Sequence, residues 1–123
     1  MRILAIVAAF LSISCSTGGQ YPEQIAVVEK LFLAAQGGDS VTVRGLSEQD
    51  VPARLRAMRA QAPQLMNAAA GGLEIANVRS ATSDSVYLSL RPTSGSKSEI
   101  IDVGLYRGAG GWKVYYLTSP SRM

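Results

Sequence analysis

The chain has no histidine and a single cysteine among its 123 residues. Without histidine there is no His-based catalytic triad and no His metal site. With one cysteine there is no internal disulfide and no zinc finger. Charge is scarce as well: 12 Lys and Arg stand against 9 Asp and Glu, a formal net charge of +3. So small a surplus, with no concentrated basic patch, argues against a nucleic-acid partner. No apolar run reaches the roughly 20 residues that a membrane-spanning helix needs. No Gly-rich loop precedes a helix, so no phosphate cradle is read, and no serine sits in a Gly-x-Ser-x-Gly elbow. Ser96-Lys97-Ser98 reads as a loop rather than a Ser–Lys dyad. The residues point to no cofactor and no metal.

What is present begins with an address. Met1-Arg2 gives a positive start, and residues 3–13 form an uncharged apolar run of h-region length. Small residues follow, as a signal peptidase requires. Leu11-Ser12-Ile13-Ser14-Cys15 resembles a bacterial lipobox, in which the Cys becomes a lipidated N-terminus. Residues 1–14 are then a signal peptide and 15–20 a lipidated tether, Gly-rich and polar. The rival reading is cleavage after Ser16. Lipidation would consume the lone thiol, and several acyl chains anchor where one is marginal. Ser16 is not the Asp that favours inner-membrane retention in the lipoprotein class. The resemblance therefore implies a bacterial outer-membrane location facing the periplasm, with the membrane as a partner through Cys15.

Residues 21–118 read as one α+β domain, with 119–123 as a tail. Pro22 and Glu23 open a first helix whose apolar face carries Ile25, Val28, Leu31, Phe32 and Ala35, and Gly37-Gly38 closes it. Asp39 to Gly45 is ambiguous: Asp39 or Ser40 suits a cap, yet Val41, Thr42 and Val43 argue against a helical turn. Ser47 to Asp50 has the spacing of a capping box. A helix follows through Leu55, Met58 and Arg59, is interrupted at Pro63 and resumes to Ala70. Arg54, Arg56 and Arg59 make either a solvated face or a contact for an acidic partner or lipid headgroup. From Leu73 the period changes to two. Strands are expected over 73–78, 86–90, 99–106 and 112–118, with a Gly108–Gly111 hairpin turn before the last. The fold expected is N-terminal helices packed on a curved, cone-like, four-stranded antiparallel sheet.

A Pro-led helix ending in Gly-Gly-Asp, a broken helical segment, three strands and a final Gly111-Trp112-Lys113-Val114 strand resemble the nuclear transport factor 2-like superfamily. The chain looks closest to its small bacterial lumazine-binding-like lipoprotein domains. The resemblance implies a sheet wrapped on the first helix, Phe32 plugging the narrow part, and a pocket at the open end. Tyr87, Tyr106, Trp112, Tyr115 and Tyr116 would be the binding aromatics, some facing the pocket and some outward. Strand alternation puts Tyr115 and Tyr116 on opposite faces.

Enzymes of that superfamily use a buried acid or a His–Asp pair, and this chain has no His. Asp102 is the one carboxylate that would serve as a general base, if the face it shares with Ile100 lines the cone; otherwise it is an exposed residue of the outer sheet. The expected function is a non-enzymatic, membrane-tethered periplasmic binding lipoprotein holding a protein partner or a small apolar ligand. The alternatives are an envelope or secretion-apparatus structural lipoprotein, a periplasmic toxin inhibitor, and a cone-type enzyme using Asp102. A second copy of the chain is a further candidate partner.

Overall fold

The computed structural model describes residues 21–48, 50–94 and 99–119. The leader, Cys15, the tether and the Ser96–Lys97 pair lie outside the described residues. Four helices come first: α1 (Pro22–Gly37), α2 (Ser40–Leu46), α3 (Val51–Gln61) and α4 (Pro63–Ala70). Four strands follow: β1 (Leu73–Ala81), β2 (Ser85–Pro92), β3 (Ile101–Gly108) and β4 (Gly111–Thr118). The strands form one antiparallel meander in the order β1-β2-β3-β4, curved and open. This is the α+β arrangement expected from the sequence.

Helix α1 obeys its periodicity. Ile25, Val28, Leu31 and Phe32 are buried, and the inward residues Val86, Leu88, Leu90, Ile101, Val103 and Leu105 of the sheet join them in one core. Its C-terminus closes in a Schellman motif: Asp39 N donates to the Ala34 carbonyl at 2.9 Å and Gly38 N to Ala35 at 3.3 Å. Gly38 sits at φ 77°, a conformation glycine takes without a Cβ penalty.

Glu29 ties helix to sheet. Its Oε2 accepts the Leu73 backbone N–H at 2.8 Å, across 44 residues of sequence. Glu29→Ala leaves that partly buried donor unpaired and is expected to cost about 1–3 kcal/mol. Glu29→Gln keeps an acceptor and loses less. Urea denaturation of both variants measures the difference.

One ambiguity is settled and one expectation is corrected. Residues 40–46 do form a helix, because Asp39 caps it strongly: its Oδ1 accepts Thr42 N at 3.1 Å and its Oδ2 accepts Thr42 Oγ1 at 2.6 Å. The side-chain bond first, and the backbone bond second, hold the Asp39 carboxyl below its ordinary 3.8. A lowered folded-state pKa means the cap's contribution is complete above 3.8 and fades as pH falls through the folded value. Protection of the Thr42 and Val43 amides, measured against their intrinsic exchange rates at each pH, should therefore fall at acid pH, and Asp39→Ala should lower it at neutral pH.

The Ser47–Asp50 capping box does not form. Ser47 bridges in parallel to Val114, its Oγ donates back to the Val43 carbonyl, and Glu48 N donates to the Val114 carbonyl at 2.9 Å. Asp50 still precedes α3, with no side-chain cap bond, and pairs with Arg54 at 3.1 Å. A long-range strand bridge has outcompeted a local cap. Pro63, by contrast, acts as expected: α3 stops at Gln61 and α4 starts on the proline.

Candidate functional site

The helices pack on one face of the sheet, and no described helix lies on the other. Strand register lays that open face out in rows. One row runs Asn77, Ser89, Asp102, Thr118; the next runs Ser80, Tyr87, Gly104, Tyr116; a third runs Ser85, Tyr106, Lys113.

Tyr115 belongs to this face too. The β3–β4 register shifts between Gly104 and Leu105, which pair with Tyr116 and Val114, leaving Tyr115 as the extra residue of a bulge. Its ring lies over Gly104, where an added Cβ would stand 2.7 Å from Cζ. It also leans on Tyr106, with centroids 6.0 Å apart. The expectation that Tyr115 and Tyr116 face opposite ways is thus corrected. Val114 and Leu117 take the core positions instead, both fully buried. Glycine at 104 is what lets the ring settle on the backbone.

Tyr87 and Tyr116 meet edge to face, with centroids 5.7 Å apart and planes at 90°. The Arg79 guanidinium sits 5.5 Å from the Tyr87 ring centroid. Burial pushes the Tyr87 hydroxyl pKa up, and the Asp102 and Tyr116 side chains add to the shift while Arg79 opposes it. Tyr106 donates its hydroxyl proton to Glu48 Oε2, and this bond, followed by burial, raises its pKa. Both hydroxyls therefore stay protonated and can donate at neutral pH. Tyr116 is the most exposed of the set, at 38%.

Asp102 lies on the open face but is not exposed; only 7% of it is accessible. Ser89 Oγ donates to its Oδ1 at 2.7 Å, and Arg79 Nη1 stands 3.8 Å from its Oδ2. Arg79 reaches over because β1 carries register shifts between Ile75 and Asn77 and between Val78 and Ser80. The carboxylate is thus satisfied within the sheet and points away from the helix-covered side.

Trp112 stands apart from the four tyrosines. It pairs with Arg107, shares the parity of Val114 and packs against the core. The Arg107 guanidinium lies 5.6 Å from its ring, and its Nε1 is buried without a hydrogen-bond partner.

The charges on the open face largely cancel in place. Arg91 pairs with Glu74 at 2.7 Å, Lys113 approaches Glu48 at 4.0 Å, and Arg79 faces Asp102. Among the described residues, no group of three or more His, Cys, Asp or Glu is placed to hold a metal ion, and no helix is long and apolar enough to cross a membrane.

No known protein family, curated protein or solved structure matches this chain.

Proposed function

We propose that the chain is a binding module, tethered to the outer membrane through lipid on Cys15, that docks a protein partner on its tyrosine face in the periplasm. The observation that carries this reading is the gathering of Tyr87, Tyr106, Tyr115 and Tyr116 on the sheet face that no described helix covers. Tyrosine presents a rigid apolar ring with a donor at its tip, the chemistry enriched at protein interfaces. Internal charge pairing favours a near-neutral protein surface over an anionic polymer or headgroup layer.

The sheet edges support docking on the face rather than strand addition. The Ser47–Glu48 segment covers the free edge of β4 at Val114, and the two irregularities of β1 spoil its ladder. A cone-type enzyme with Asp102 as base draws less support, since Ser89 and Arg79 already occupy the carboxylate.

Affinity capture of the lipidated full chain from envelope extract, alongside Tyr116→Ala, tests the reading. An exposed aromatic of this kind should act as a hot spot, so its truncation should weaken the captured complex about tenfold or more. Unchanged capture by Tyr116→Ala would remove the face from consideration, whatever partner was found. The same sample, by intact mass, reports whether Cys15 is acylated.

A further inference from the structure

A second feature lies among the helices, away from the tyrosine face. A cleft of about 290 Å³ opens between α1, α2 and α3. Val43 and Leu55, both buried, form its apolar floor together with the partly buried Pro52, while the exposed side chains of Arg44, Arg56 and Arg59 rim it. Three of its nine lining residues are arginine and none is acidic.

The three arginines have no ion-pair partner among the described residues. Arg54, on α3 with Arg56 and Arg59, differs: Asp50 holds it. Asp39 lies beside the cleft but its carboxylate oxygens are engaged by Thr42. Arg44 and Arg59 occupy the last turns of α2 and α3, where a positive charge suits the helix dipole. That explains their helical positions. It explains neither Arg56 nor why all three border one apolar hollow.

We propose that this cleft binds a small amphipathic anion, a carboxylate or phosphate carried on a short apolar chain. Guanidinium groups match such oxyanions with paired donors, and they gain most beside a dry wall. The floor excludes water from the chain while the rim neutralises the head. Taking the ~30 Å³ liquid share of a water as the size of one heavy atom, the volume holds roughly ten of them. That suits a medium-length acyl chain better than a bare ion or a folded lipid with two long tails. The proposal is independent of the tyrosine face, because its residues all come from the three helices and the α1–α2 turn.

Titration of the full chain with decanoate, below its micelle-forming concentration, is the test. Amide shifts should centre on Val43 and Leu55. Decanol, with the same chain and no charge, should bind about tenfold more weakly or less. Replacing the rim together (Arg44→Gln, Arg56→Gln, Arg59→Gln) should weaken decanoate by a similar factor and leave decanol unchanged. All three side chains are exposed, so the variant folds, and its urea midpoint verifies this. Phosphatidylglycerol vesicles that displace decanoate would mark a membrane lipid as the source of the head group. Vesicles that leave it bound would mark a free amphiphile, and the cleft chemistry stands either way. Absence of decanoate binding, shifts centred elsewhere, or equal affinity in the triple variant would overturn the proposal.

Discussion

Phe32→Ala is expected to lower the melting temperature of the domain by tens of degrees. Phe32 is wholly buried, in the middle of the inward face of α1. Truncating a buried Phe loses its transfer free energy and opens a cavity, together about 3–5 kcal/mol. Small domains have about 5–15 kcal/mol in total, so the loss takes much or all of the margin. The neighbouring residue supplies the control. Leu33 is 58% exposed, and Leu33→Ala should stay within about 0.5 kcal/mol of the parent. Thermal melts of the two variants, one residue apart, should differ by tens of degrees. Similar melts would mean that α1 does not seat on the sheet through the face described.

Gly104→Val is expected to abolish the tyrosine surface while sparing the fold. The new Cβ would stand 2.7 Å from Tyr115 Cζ and 2.9 Å from Tyr115 Oη, so the ring must leave. Those atoms are the far end of a side chain that can swing, so the stability loss should sit near the low end of the overpacking range, ~1 kcal/mol. The effect on the surface is larger. Tyr115 loses its seat and its packing on Tyr106, and both the near-ultraviolet dichroism of the tyrosines and capture of the partner should collapse. Far-ultraviolet dichroism should stay. Gly110→Ala is the matched control, because nothing lies within 4 Å of the Cβ it adds.

Much of the fold was legible because single-element patterns dominate it. Period 3.6 in α1, strict alternation over Val86, Leu88 and Leu90, and Pro63 as a breaker all act locally. The capping-box misreading comes from a distant partner overriding a local preference. Ser47 has the spacing of a cap, yet Val114, far along the chain, draws it into a bridge. The β-branched Val41–Val43 stretch disfavours helix, yet Asp39 and Thr42 cap it.

The candidate site was legible in composition and not in geometry. The four tyrosines were identifiable as candidates, but their common face depends on the bulge at Tyr115. Two signals for it were available. Val114 and Leu117 are three apart, which breaks alternation in a strand, and Gly104 is an isolated glycine within one. β1 carries the same signature, since Leu73, Ile75, Val78 and Ala81 drift out of period two where its register shifts. The burial of Asp102 had no such signal, because Arg79 reaches it only through the irregular strand.

The most direct test of the docking face is site-specific photo-cross-linking in living cells, with a photoreactive phenylalanine at position 116 in one strain and at position 33 in another. Both positions are exposed, one on the tyrosine face and one on α1. A discrete protein adduct from position 116, and none from position 33, is the expected result. An adduct from position 33 alone, or none from 116, would contradict the assignment of the tyrosine face as the surface this protein uses.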